Sequence, residues 1–190
     1  TIEIRRAYEL ENGAFSRLFD EITERFDRKV HTIRDVKRLF REYTAKLNSV
    51  KCREVPEKNR IRVGIVGEIY VVMESSINMN IAEVLNNLGC EVYRSMFISD
   101  WLDHNIWPKF LAEKSGENTV KKAKRYVKTG IGGHEQHNIG NIIRCKENGF
   151  DGVVHLMPFA CLPELITQSL VPQITRDTGM PVLTLALDEQ

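Results

Sequence analysis

A cysteine stands at the boundary between a strand-like run and a helix near the end of this 190-residue chain. Cys161 lies in "MPFACLPE", directly after "DGVVHLM", and Pro163 marks the first turn of a predicted helix. Unpaired amides and the dipole at a helix N-terminus stabilise an anion, so a thiolate here could ligate a metal or a cluster. The alternative is a small buried thiol, which position alone slightly favours, because most free cysteines are core residues.

A second set of polar residues follows the apolar run "IRVGIVG". Glu68 and Tyr70 come directly after this run, with Asn78 and Asn80 further along the same loop. We expect Glu68 and Tyr70 to face Cys161, although a carboxylate at the end of a strand often only caps the next helix. The run itself lacks the G-x-G-x-x-G spacing and the G-K-[ST] of a P-loop, which argues against a classical nucleotide site.

The third candidate is His134, in the block "GGHEQHNIGN". Two adjacent glycines before a predicted helix start give the backbone freedom to present amides to an anion, and His134 could transfer a proton or bind a metal. His134 and His137 form HxxH without the Glu of the zinc-protease motif or an evident third ligand. A metal-dependent hydrolase is therefore a weak third hypothesis.

Composition and charge narrow the class of partner. The chain is 42% hydrophobic, and its 27 basic and 26 acidic side chains leave a net charge of +1. That balance gives no reason to expect a nucleic-acid or membrane-surface partner. No run approaches the roughly 18 apolar residues of a membrane span, and the N-terminus lacks the apolar stretch of a signal peptide. We predict a cytoplasmic protein, and self-association is a further expectation.

The four cysteines and the two chain ends carry further expectations. Cys52, Cys90, Cys145 and Cys161 are scattered without a CxxC pair or a zinc-type spacing, which predicts reduced thiols. The chain begins at Thr1 without an initiator methionine and stops at "TLALDEQ", where a strand should lead into a helix. We interpret it as a piece of a larger protein, truncated at the C-terminus.

Two patterns divide the chain. Residues 1–58 contain two amphipathic helical repeats and a polar linker, the second helix capped by Thr32 with Asp35 three residues on. Residues 59–190 alternate short β-rich runs with helical segments, including a helix over Ile77–Leu88 and a long, mainly helical insert between the second and third strands that breaks near Pro108 and Gly116.

This alternation predicts an α/β fold with a Rossmann-like (flavodoxin-like) parallel sheet of four strands in the order 2-1-3-4. Ligands of such sheets bind beyond the carboxyl ends of the strands, where neighbouring connections leave to opposite faces. That point lies between the first and third strands. We therefore expect Cys161, Glu68 and Tyr70 to share one crevice.

Three separated blocks resemble a known family. They are "VGIVGEIYVVMESSINMNIAEVLNNLGCEVYRS", "GGHEQHNIGN" and "GFDGVVHLMPFACLPELITQSLVPQITRDTGMPVLTLALDEQ". In this order they resemble the C-terminal part of the CoA protein activases, which are related to the iron–sulfur components of 2-hydroxyacyl-CoA dehydratases and to double-cubane-cluster proteins. The resemblance covers most of the chain and is strongest from residue 61 onward.

The resemblance implies one half of an iron–sulfur protein of anaerobic metabolism, which receives low-potential electrons from an ATP-hydrolysing activator protein. The electrons would serve a difficult reduction or the dehydration of a 2-hydroxyacyl-CoA. The "FACLPE" block resembles the block that holds a cluster ligand in this family. The resemblance therefore implies that Cys161 is a cluster ligand. Glu68, Tyr70 and His134 would then face the cluster or an acyl-CoA substrate.

Counting ligands limits this expectation. A [4Fe-4S] cluster takes about four ligands, and the chain offers one credible cysteine, so the others would come from elsewhere in the parent protein. We expect no cluster on these 190 residues alone. The rival hypothesis is a flavodoxin-like binding or interaction module in which Cys161 is a structural thiol.

Overall fold

The computed structural model describes residues 2–95 and 115–188, and it contains one parallel sheet of four strands. The strands are β1 (Ile61–Gly67), β2 (Cys90–Arg94), β3 (Gly152–Pro158) and β4 (Val182–Leu187). They lie in the order β2-β1-β3-β4, and all three neighbouring pairs are parallel. The predicted α/β class, the parallel sheet and its strand order are confirmed.

The helices of the described residues lie before and between these strands. They are α1 (Ile2–Arg5), α2 (Ala14–Lys29), α3 (Ile33–Ser49), α4 (Ile69–Met73), α5 (Ile81–Asn87), α6 (Ser115–Ala123), α7 (Glu135–Glu147) and α8 (Leu162–Thr178). Short 3-10 turns occur at Arg6–Tyr8 and Glu57–Asn59. Membrane-spanning length combined with apolar composition is found in no helix of the described ranges.

Helices cover the sheet on both faces. On one face, Val63 and Ile65 of β1 pack with the apolar side chains of α4 and α5. On the other face, Val66 of β1 and Val153 of β3 pack with α6, α7 and α8. The connection that leaves β1 and the connection that leaves β3 therefore lie on opposite faces, which is the condition for a binding crevice between these two strands.

At the N-terminus, α1 and the following 3-10 turn pack against the β2 side of the sheet. Thr32 and Asp35 form the predicted capping box at the start of α3, because each side chain accepts a hydrogen bond from the other's backbone amide. Glu3 of α1 pairs with Arg94 at the end of β2, with 2.6 Å between carboxylate and guanidinium. This ion pair and the packing of the 3-10 turn on α5 join the two parts of the chain.

The first connection differs from its predicted form. A single helix from Ile77 was expected, but the chain forms α4 inside the expected loop and begins α5 only at Ile81. Met79 and Asn80 have left-handed backbone angles, with φ of 54° and 52°, and these angles cannot continue a right-handed helix. The first half of the predicted insert, including the expected break at Pro108, lies outside the described residues, and α6 lies in its second half with Gly116 in the first turn.

Candidate functional site

The carboxyl end of β1 turns away directly against the backbone of β3. Gly67 has φ of +148°, and a Cβ atom at this position would lie 1.9 Å from the carbonyl oxygen of Leu156. The amide of Glu68 donates to that same carbonyl at 3.2 Å. Only glycine permits so close an approach, so the floor of the crevice depends on this residue.

Asn138 on α7 ties the end of β1 to the start of α8. Its Oδ1 accepts a hydrogen bond from the Gly67 amide at 3.1 Å. Its Nδ2 donates to both carboxylate oxygens of Glu164, at 3.0 and 2.9 Å. Asn138 and Glu164 are both buried, so these bonds are shielded from water and hold two loops of the crevice in one arrangement.

Glu164 also binds His155 of β3. The distance from His155 Nε2 to Glu164 Oε2 is 2.6 Å, and Nδ1 of the same ring lies 3.3 Å from the Thr184 hydroxyl of β4. His155 and Glu164 are 0% and 1% exposed. The chain from Gly67 through Asn138, Glu164 and His155 to Thr184, which we call the buried network, therefore connects β1, α7, α8, β3 and β4.

Sequence reasoning did not identify Asn138 or Glu164 as site residues. A signal was present for Asn138, because it stands on the same helical face as Ile139 and Ile142, where a polar side chain must find a buried partner. Glu164 lies in the first turn of α8, where a carboxylate is ordinarily explained by the helix dipole. Its burial could not be read from that position.

Cys161 occupies the N-cap of α8, as the sequence predicts. Its amide donates to the carbonyl of Pro158 at 3.2 Å, and its own carbonyl accepts from Leu165 at 2.9 Å. The side chain is half-buried and makes no capping hydrogen bond. Glu164 anchors the first turn of α8 to Asn138 and His155. The Cys161 thiol is therefore held in a defined position beyond the carboxyl end of β3.

Gly133, directly before His134, packs against the start of α8. A Cβ atom on Gly133 would lie 2.3 Å from Pro163 Cγ, two residues beyond Cys161. His134 follows at the N-terminal end of α7, half-buried and without a capping bond, and its ring centroid is 6.3 Å from that of His137. The "GGHEQHNIGN" and "MPFACLPE" blocks are therefore neighbours in the structure.

Glu68 and Tyr70 lie on the turn that follows β1. Glu68 Oε2 accepts the Val71 amide at 3.0 Å, so its carboxylate caps α4, while the Tyr70 ring is 62% exposed. Asn78 is buried and donates to the Val71 carbonyl at 2.8 Å. Asn80 lines a separate groove beside β2. Tyr70 is thus free to meet a ligand, whereas Glu68 already has a structural partner.

The other three cysteines lie in different surroundings. Cys145 sits beneath β1, where a Cβ on Gly64 would approach its Sγ to 2.6 Å, and burial raises the pKa of its thiol to about 11. Cys90 begins β2, and burial, with a smaller effect of the Asp151 charge, raises the pKa of its thiol. Cys52 lies in the linker with its Sγ 3.7 Å from the Arg5 guanidinium.

The residues of this arrangement can be compared with the ligands that a metal cluster needs. Within residues 2–95 and 115–188, no group of three His, Cys, Asp or Glu side chains is placed to hold a metal ion. One half-exposed thiol at Cys161 fits a single ligand position, but it does not complete a site that needs about four ligands. The zinc-hydrolase hypothesis, based on His134 and His137, likewise lacks a third ligand in this part of the chain.

A separate groove of about 740 Å³ lies between the N-terminal helices and β2. Phe19 and Leu47 line one side, and Asn80 and Arg94 line the other. Neither Cys161 nor His134 contributes to it. The cavity and the strand-end chemistry are therefore at different places, and we place the candidate site where the buried network fixes the side chains.

The raised pKa of Cys145 predicts slow alkylation that depends on pH. With a pKa of about 11, roughly one thiol in a thousand is ionised at pH 8. The rate of iodoacetamide labelling at Cys145, followed by peptide mass spectrometry, should rise about tenfold per pH unit between pH 8 and pH 10. A rate that does not change with pH would contradict a thiol of raised pKa that reacts in the folded state.

No protein-family model, curated protein or solved structure matches the chain in the three comparisons.

Proposed function

We propose that this chain forms one wall of an iron–sulfur site of the [4Fe-4S] type, to which Cys161 gives a single thiolate ligand. The remaining ligands would come from outside the described residues. The site would serve low-potential electron transfer in a protein related to the CoA protein activases and the 2-hydroxyacyl-CoA dehydratase components. An ATP-dependent activator protein would be the electron donor and an acyl-CoA a candidate substrate.

The position of Cys161 carries this proposal. It is the cysteine that combines a half-exposed thiol with the N-cap of a 17-residue helix beyond the carboxyl end of a strand. Amides at that end of α8 favour the negative charge of a thiolate or of a cluster sulfur. Cys90 is buried and Cys145 is partly buried under β1, and burial raises the pKa values of both thiols, which opposes metal binding.

The neighbouring loops support a site rather than an isolated thiol. Tyr70 is open to solvent on the β1 side, and His134 follows the glycine that packs against Pro163. We assign Tyr70 and His134 to contacts with the cluster or with the substrate. Glu68 belongs to the same wall of the site, where its carboxylate caps α4. The four unpaired cysteines fit a reducing compartment such as the cytoplasm.

A binding module is the second candidate function. The observation that favours it is that no three His, Cys, Asp or Glu side chains in the described parts of the chain are grouped so as to hold a metal ion. In that case the crevice would hold a small ligand or a partner without a cluster. Cys161 would then be an ordinary thiol of the α8 cap.

Competitive alkylation separates the two candidates. Because the Cys52 thiol lies 3.7 Å from the Arg5 guanidinium, which also favours a thiolate, the reference is Cys161 itself in the chain unfolded by denaturant. If the helix N-terminus activates Cys161, iodoacetamide should label it about tenfold faster in the folded chain than in the unfolded chain at pH 7, as resolved by peptide mass spectrometry. Labelling of Cys161 that is no faster in the folded chain would favour the binding module.

A further inference from the structure

The residue before Cys161 has a backbone conformation that alanine rarely adopts. Residues 158–161 form a turn that is closed by a hydrogen bond from the Cys161 amide to the Pro158 carbonyl, at 3.2 Å. Ala160 is the third residue of this turn and has φ of 60°, in the left-handed region. Turns with a positive φ at the third residue usually have glycine there, because the Cβ atom of any other residue is strained.

Packing does not explain the alanine. Ala160 is exposed, so its methyl group fills no gap in the core. The backbone on both sides is anchored instead. The Phe159 amide donates to the Leu187 carbonyl of β4 at 2.8 Å, and the Leu165 amide donates to the Cys161 carbonyl at 2.9 Å. Strained backbone persists where its surroundings over-determine it, and it is concentrated at functional sites.

Alanine and glycine restrict such a turn to different degrees. The left-handed region open to alanine is small, with φ of roughly +50 to +70° and ψ of roughly +30 to +60°, whereas glycine populates a much wider range of positive φ. Once the fold has forced Ala160 into this region, the peptide that leads into Cys161 has little freedom to rotate. Glycine would relieve the strain and release that peptide.

A buried carboxylate points independently to a ligand at the start of α8. Glu135 is 0% exposed, and its Oε1 accepts a hydrogen bond from the Ile131 amide at 2.8 Å. Its Oε2 has no hydrogen-bond partner in the described parts of the chain. This oxygen and Pro163 Cγ lie 3.2 and 2.3 Å from the position that a Cβ atom on Gly133 would occupy, so both border the first turn of α8. Buried polar atoms rarely lack a partner, so an acceptor is open here for an incoming donor.

We propose that Ala160 is a positioning residue, whose left-handed backbone holds the Cys161 thiol in one orientation at the N-terminus of α8. This inference rests on the ligand role proposed for Cys161. The amides of the first turn of α8 stabilise a thiolate only at close range, because the effect of a helix end falls off within one turn. Freedom at residue 160 would reduce the fraction of time that the thiol spends within that range.

Ala160→Gly tests this role by separating stability from thiol reactivity. We expect the variant to unfold at the same or a higher denaturant concentration, since relief of the strained angle offsets the greater freedom of glycine in the unfolded chain. Iodoacetamide at pH 7 should label Cys161 at most about threefold faster in the folded variant than in the unfolded variant, against about tenfold for the unchanged chain. Peptide mass spectrometry measures the rates.

Two further variants control the experiment. Ala160→Asn introduces a residue that tolerates the left-handed region without the wide freedom of glycine, so it should keep most of the tenfold difference. Met79→Gly relieves a similar angle, φ of 54°, at an exposed residue before α5, and it should leave the labelling of Cys161 unchanged.

The outcomes distinguish this inference from the proposed function. Equal labelling of Cys161 in Ala160→Gly and in the unchanged chain would overturn the positioning role and leave the ligand role of Cys161 intact. An equal loss in Met79→Gly would also overturn it, since the effect would then not depend on the turn before Cys161. If the unchanged chain labels Cys161 no faster when folded than when unfolded, the proposed function and this inference fail together.

Discussion

Replacing Glu164 by alanine should lower the free energy of unfolding by about 3–5 kcal/mol. The reason is that one buried carboxylate satisfies donors on two elements, Asn138 Nδ2 and His155 Nε2. The substitution leaves both donors buried and unpaired, which costs more than the loss of an exposed hydrogen bond. Chemical denaturation followed by circular dichroism measures the effect.

Glu147→Ala is the matched control for Glu164→Ala. Glu147 lies at the end of α7, where its half-exposed carboxylate pairs with Lys122 at 2.7 Å. An exposed pair of this kind contributes little, so the control should change stability by no more than about 1 kcal/mol. Equal effects of the two substitutions would show that the buried network does not hold the crevice together.

Gly67→Ala should be comparably severe, with a loss of about 3–5 kcal/mol from backbone strain and overpacking together. The added methyl carbon would lie 1.9 Å from the Leu156 carbonyl oxygen and 2.8 Å from its carbon. Both atoms belong to the backbone of the central strand β3, so they cannot move aside as a flexible side chain would. Thermal and denaturant unfolding of the variant report the loss.

Gly149→Ala measures the effect of backbone strain without a steric clash. Gly149 also has a positive φ, of +72°, but a Cβ there would meet nothing within 4 Å. Alanine at this position should cost about 1–2 kcal/mol from the left-handed backbone alone. If Gly67→Ala costs no more than Gly149→Ala, the close approach of β1 to β3 is not essential to the fold.

The sheet was predictable because it depends on local patterns. Apolar runs such as Ile61–Gly67 and Gly152–Pro158 alternate with helical periods, and crossover rules then leave few strand orders. The start of α3 was predictable for the same reason, since Thr32 and Asp35 are three residues apart and satisfy each other's backbone amides. These features require no knowledge of distant partners.

The buried network was not predictable because its members are far apart in sequence. Asn138 meets the amide of Gly67 across 71 positions and the carboxylate of Glu164 across 26. Pattern analysis can show that Asn138 lies on an apolar helix face, but it cannot name the partner. The shared crevice of Cys161, Glu68 and Tyr70 stays a prediction, and the residues that tie the neighbouring elements together could not be named from the sequence.

The turn after β1 shows a second reason for failure. The periodicity of Ile77, Ile81 and Val84 favours one helix, yet Asn78 turns inward to bind the carbonyls of Val71 and Val72. That tertiary contact accompanies the left-handed angles at Met79 and Asn80 and delays the start of α5. A side chain that satisfies backbone carbonyls overrides a weak helical preference.

The ligand role of Cys161 is tested most directly by iron binding. Under the proposal, the parent protein that carries this chain with the remaining ligands should, after anaerobic loading with iron and sulfide, show a charge-transfer band at about 400 nm. Cys161→Ser should lose or shift that band and lower the iron content, whereas Cys145→Ser, which removes a partly buried thiol under β1, should leave both unchanged. An unaltered spectrum and unaltered iron content in Cys161→Ser would contradict the assignment.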